Sequence, residues 1–115
     1  MRQLGIVISD RGSKYAVSGG PVQDRTGVDG FLAALRRDKK YARATHNSWA
    51  ALLPDGPLKA DDGEAGAGAA ILRMLDRAQL QGHVIVVTRW YGGVNLGGDR
   101  FRHVTEAVRL YLAAV

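Results

Sequence analysis

Cysteine is absent from the 115 residues, which removes disulfides, thiolate metal sites and cysteine nucleophiles at once. A cytoplasmic location is the default expectation for such a chain. No apolar window approaches the length of a membrane-spanning helix, so no membrane partner is expected. The opening MRQLGIVISD holds one arginine and a short apolar patch without a small-residue cleavage pattern. It reads as a first strand rather than a signal peptide. Internal repeats and low-complexity linkers are also missing, and the length suits a single domain over residues 1–115 with one core. Neither G-x-x-x-x-G-K-[ST] nor G-x-G-x-x-G occurs. His46 stands in no recognisable serine or cysteine hydrolase frame.

Charge is present in excess and unevenly. The net charge is +5. Residues 1–60 carry ten Lys/Arg against five Asp/Glu, while residues 61–115 balance at six and six. The densest cluster, RRDKKYAR, sets Arg36, Arg37, Lys39, Lys40 and Arg43 against Asp38. Such a patch attracts polyanions such as RNA; it also suits the solvated end of a helix, where cations complement the dipole.

The apolar pattern predicts the order β-β-α-β-α-β-α. Strands are expected at 2–9 and 14–22, joined by a turn at 10–13. Thr26 with Asp29 three residues on resembles a capping box, and Val28, Phe31, Leu32 and Leu35 form a helical stripe behind it. A third strand over 43–53 alternates, with His46, Ser48 and Ala50 on one face and Asn47, Trp49 and Ala51 on the other. A loop follows, then a helix over 65–79 with stripe Ala67, Ala70, Ile71, Met74, Leu75 and Ala78, ended by Gly82. HVIVVTRW, residues 83–90, is apolar on both faces and suits a central, doubly covered strand. The last helix carries Phe101, Val104, Thr105, Val108 and Leu112. The expectation is an α+β domain, with a mixed four-stranded sheet and helices packed on it.

Three stretches are unusual. TRWYGGVNLGGDRF, residues 88–101, places Gly92, Gly93, Gly97 and Gly98 between a buried strand and a helix. Glycine clusters are unfavourable unless the backbone needs them. The need here is either a tight turn or an anion cradle, with Arg89 and Arg100 as a forked clamp and Asp99 capping the helix. ADDGEAGAGAA, residues 60–70, gathers Asp61, Asp62 and Glu64 at a helix start. They complement the helix dipole, pair with Arg89 or Arg100, or converge on Mg²⁺ with a phosphorylated substrate. In ATHNSWA, His46 and Asn47 interrupt a strand-like run. Trp49, Trp90 and Tyr91 read as core or rim packing rather than a base-stacking platform.

In this order, DRGSKY, ATHN..A, DDGE.G.G..IL..L and VVTRWYGG.NLGGDRF.H resemble the IMPACT family from Asp10 to the last helix. The resemblance implies a fold similar to domain two of the fifth small-subunit ribosomal protein, with helices on one side of the sheet and a left-handed βαβ crossover. It implies a role in translation regulation: eukaryotic members compete for the activator of a kinase that phosphorylates an initiation factor. The expected partners are RNA, the ribosome or a regulatory protein of that machinery. On this resemblance the ligand-binding positions are Lys14, His46, Asn47, Asp61, Asp62, Glu64, Arg89, Trp90, Tyr91, Gly92, Gly93, Gly97, Gly98, Arg100 and His103. Arg36, Arg37, Lys39, Lys40 and Arg43 form a nucleic-acid patch. No resident cofactor or metal is expected, Mg²⁺ being the alternative tied to an enzymatic role. The RWD domain that precedes this region in eukaryotic members, and the ferredoxin-like domain that follows it in many bacterial ones, are not expected here. The wording RWYGG…LGGDRF is nearer the eukaryotic motif, while the Ala-, Gly- and Arg-rich composition suggests a GC-rich bacterial gene.

Overall fold

A computed structural model describes all residues from Met1 to Val115. The chain runs β1 (Arg2–Asp10), β2 (Ser13–Pro21), α1 (Arg25–Arg36), α2 (Lys39–Ala42), β3 (His46–Leu53), β4 (Gly56–Ala60), α3 (Ala67–Arg77), β5 (His83–Trp90) and α4 (Asp99–Ala114). The five strands form one sheet in the order β1-β2-β5-β3-β4. The α+β class holds, with three corrections. There are five strands, not four. Every hydrogen-bonded neighbour is antiparallel, not mixed. Helices cover both faces, not one.

The antiparallel pairing follows from the two crossovers. The connection from β2 through α1 and α2 to β3 skips a place that β5 fills, and the connection from β4 through α3 to β5 skips β3. Parallel strands are therefore never neighbours. Ala16, Trp49, Ala51, Val84 and Val86 face α1 and α2, where Val28, Phe31, Leu32, Leu35 and Tyr41 complete one core. Tyr15, Val17, Ala50, Ile85 and Val87 face α3 and α4 and form the other. The doubly apolar β5 lies between the two layers, as its composition requires. β4 reads as loop because it opens Gly56-Pro57, but proline is tolerated on an edge strand. The poor alternation of β1 comes from register shifts at Gln3/Gly5 and Ile6/Ile8.

Helix ends differ in detail. Asp24, not Thr26, caps α1: its extended backbone lets the carboxylate accept from the Gly27 N–H at 2.8 Å. Asp29 pairs instead with Arg25 at 3.3 Å. The residue that ends α3 in left-handed conformation is Gln79, at φ 53°. Leu80 N–H donates to the Leu75 carbonyl and Gln79 N–H to that of Asp76, both at 3.0 Å. That is the paired bonding of a Schellman motif. Gly82 lies further on and bridges strand ends, donating to the Leu52 carbonyl at 2.7 Å and accepting from Val22 at 2.9 Å. The buried face of α4 is His103, Val104, Ala107, Val108 and Tyr111, leaving the predicted Phe101 and Thr105 exposed. The helix turns this way because the Tyr111 ring lies where a side chain on Gly19 would stand.

Candidate functional site

The end of β5 organises the unusual residues. Antiparallel register sets Arg89 between Tyr15 of β2 and His46 of β3, and places Trp90 beside Lys14. Asn47 lies opposite Thr88. Side chains alternate across a sheet. His46 and Arg89 therefore face α3 and α4, while Lys14, Asn47 and Trp90 face α1 and α2. The candidate residues divide between two faces of one sheet end.

On the first face, Arg89 and Glu64 are 5% and 3% exposed. Arg89 Nη1 donates to both Glu64 oxygens, at 2.9 and 3.1 Å, and Nη2 to Ser13 Oγ at 3.3 Å. His46 Nδ1 donates to the Asp62 carbonyl at 2.7 Å, and its Nε2 lies 3.2 Å from Glu64. The Asp62 carboxylate accepts from the Asn47 N–H at 2.7 Å. Asp61 accepts from the Gly66 and Gly68 N–H groups at 3.0 and 2.8 Å, capping α3 from outside. Those two bonds hold its carboxyl below the usual aspartate range. The three acids are thus committed to three different protein partners. No three or more His, Asp or Glu side chains are grouped as metal ligands would be.

Tyr15 links this cluster to a second one. Arg89 Cζ lies 5.4 Å from the Tyr15 ring centroid, and the His103 ring centroid lies 5.3 Å from it. His103 Nε2 meets Asp10 at 2.7 Å. Hydrogen bonds from Arg11, then from His103, hold the Asp10 carboxyl well below the ordinary range. Burial pushes the Tyr15 phenol up to about 12. Tyr15 Oη and Arg89 Nε are buried without a hydrogen-bond partner. Asp10, Ser13 and Tyr15 belong to this site and were missing from the sequence-predicted residues. The stretch DRGSKY contains all three, but only the β2–β5 pairing brings Ser13 and Tyr15 to Arg89, and Asp10 joins them through His103.

The glycine loop has a structural answer at one position. Gly92 lies so close to the Gly12 backbone that a Cβ there would overlap Gly12 and Ser13, and its N–H donates to Ser13 Oγ at 3.1 Å. The N-cap of α4 is Gly98, not Asp99, and no side chain caps it. Asp99 instead pairs with Arg11 at 2.5 Å and Arg102 at 3.5 Å. Arg100 Nε donates to the Gly97 carbonyl at 2.9 Å, and Arg100 forms no hydrogen bond or ion pair with Glu64. Tyr91, Gly93, Gly97 and Gly98 are exposed.

On the second face, Thr88 Oγ1 donates to Asn47 Oδ1 at 2.7 Å, and Asn47 Nδ2 donates to the Tyr41 carbonyl at 3.1 Å. Trp90 Nε1 donates to the Lys40 carbonyl at 2.9 Å and its ring meets Tyr41 edge-on at 5.3 Å. These bonds fasten α2 to the sheet. Asp38, the one acid of the basic run, caps α2 by accepting from the Lys40 N–H at 3.0 Å. Arg36, Arg37, Lys39, Lys40 and Arg43 are all exposed, and none forms a salt bridge. Lys40 Nζ lies 5.3 Å over the Trp90 ring, whose strand neighbour Lys14 is likewise exposed and unpaired.

Residues 11–112 match the family described as the Impact N-terminal domain. Protein IMPACT homolog of Caenorhabditis elegans is 36% identical over 117 residues, covering 95% of this chain and 46% of the relative. Protein IMPACT of Bos taurus is 39% identical and that of Homo sapiens 37%, each over 114 residues, with 91% of this chain and 35% of the relative covered. The chain therefore spans between a third and a half of the length of these relatives. A solved structure described as a hypothetical protein shares the fold, with a TM-score of 0.82 at 22% identity over 94% of this chain and 56% of that one. The two-domain translational regulator Yih1 superimposes with a TM-score of 0.56 at 25% identity, over 97% of this chain and 45% of that chain.

Proposed function

The chain belongs to the Impact N-terminal domain family, and on that premise we propose that it is a non-catalytic binding domain of translational regulation whose partner is RNA, reached on the ribosome. The likeness to Yih1, described as a translational regulator, supports the process. One observation carries the choice of partner: Arg36, Arg37, Lys39, Lys40 and Arg43 stand exposed and unpaired on the α1–α2 side, with Lys14 on the same face beside Trp90. Asp38 is turned onto the helix backbone and Trp90 fixes α2 against the sheet, so the cations project from a rigid base. Such a surface gathers phosphates. The buried Glu64–Arg89 pair has the opposite character. Its charges satisfy each other, and its role is to hold the chain segments around the end of β5 in register.

Binding through phosphates releases counterions, so affinity falls linearly on a logarithmic salt scale. Anisotropy titrations with single-stranded RNA, and cosedimentation with ribosomes, are expected to show that dependence. Lys39→Gln with Lys40→Gln is expected to flatten the slope by roughly 0.7 for each phosphate left unneutralised. Absence of salt-dependent binding to either target overturns the RNA reading.

A further inference from the structure

Six large apolar side chains are exposed, and three of them, Tyr91 at 53%, Val94 at 44% and Phe101 at 42%, fall on the glycine loop and the first turn of α4. The others are the terminal Met1 and Val115, and Ile6 on the edge strand. Each of the two exposed rings has a guanidinium near it: Arg89 Cζ is 5.6 Å from Tyr91 and Arg100 Cζ 5.6 Å from Phe101. The rings belong to one region. Tyr91 neighbours Arg89, Arg89 binds Glu64, and Phe101 lies against Gly66, two residues beyond Glu64.

Gly98 adds an independent sign. Its backbone is right-handed helical, at φ −65°, and nothing stands within 4 Å of where a Cβ would be. Neither conformation nor packing demands glycine there, and the residue even leaves α4 without a side-chain cap. Bare backbone three residues before Phe101 keeps the approach to that ring open. Flat rings beside guanidinium groups, among residues without side-chain bulk, match a nucleobase better than an irregular protein surface. Trp90, which precedes Tyr91 in the chain and ends β5, lies under Lys40, so the loop starts beside the basic surface.

We propose that Tyr91 and Phe101, with Arg100, form a base-stacking platform for single-stranded RNA. The proposal rests on the RNA reading given above and adds to it the recognition of unpaired bases. The test compares two probes by fluorescence anisotropy: a roughly 12-nucleotide oligouridylate, and an abasic oligomer with the same number of phosphates. Wild type is expected to prefer the base-bearing probe. Tyr91→Ala and Phe101→Leu are each expected to weaken its binding about 5- to 100-fold without altering the salt slope, and to narrow the gap between probes. Tyr91→Phe is expected to retain affinity. Wild type binding both probes equally overturns the platform whatever the variants do. So does salt-dependent binding that survives unchanged in folded Tyr91→Ala and Phe101→Leu; in both cases the basic surface acts alone. Failure of wild type to bind either probe or ribosomes at any salt overturns the RNA reading as well as the platform.

Discussion

Glu64 and Arg89 are an ion pair removed from water, and such a pair matters most when half of it is taken away. Breaking one partner leaves a buried charge without compensation and costs about 3–5 kcal/mol. Glu64→Gln is expected to lose stability on that scale in urea unfolding, and Glu64→Leu with Arg89→Met to lose less than either single change. A double variant as unstable as the sum of the singles shows the two residues to be uncoupled. The sequence reveals three acids at a helix start but not their different tasks. Asp61 accepts two backbone N–H groups, Asp62 accepts one from Asn47, and Glu64 turns inward to Arg89. Proximity along the chain makes them look equivalent. What separates them is a sheet register that pairs residues 46 and 89, which no local pattern encodes. Tyr15 is hidden for the same reason, while the alternation of His46 and Asn47 to opposite faces is legible because period two is a local property.

At the scale of an element, α3 carries two opposed devices. Its start is held by Asp61, whose ionised form the Gly66 and Gly68 N–H groups favour. The folded state therefore holds that proton less tightly than the unfolded chain. The stability it contributes is full above the usual 3.8 and is lost as pH falls through the lowered value. Asp61→Asn is expected to cost about 0.5–2 kcal/mol at neutral pH, with the difference from wild type shrinking as denaturation is repeated in acid. Its end is weakened by Gln79, a residue with a Cβ in left-handed conformation. Gln79→Gly is expected to raise stability by about 1 kcal/mol, measured as a higher urea midpoint with an unchanged slope. Stripes of apolar residues made α1 and α3 legible, since a buried face needs only the 3.6-residue period. Their caps were not, because a cap depends on the backbone angle one residue adopts: Asp24 is extended, whereas Thr26 lies inside α1. The face of α4 is not legible in its own pattern, because the space that Tyr111 fills is left by Gly19 on another element.

At the scale of the molecule, two local hairpins, β1–β2 and β3–β4, are joined by one strand that arrives from far along the chain. A fragment of residues 1–82 keeps both hairpins and lacks the strand between them. It is expected to show no cooperative thermal transition by circular dichroism; a sharp transition would mean that one hairpin and its helices fold unaided. The double coverage of β5 was legible in its unbroken apolar run, but its neighbours were not, because both crossovers skip a place. The same arrangement governs how the protein comes into being. Elongation at about 5–20 residues per second puts the completion of β5 at roughly 5–20 s after the first residue. Until then the inner edges of β2 and β3 both stand open, each able to accept a strand from another chain. Slower elongation before His83 lengthens that interval, so the yield of folded protein depends on the pace of the ribosome that makes it.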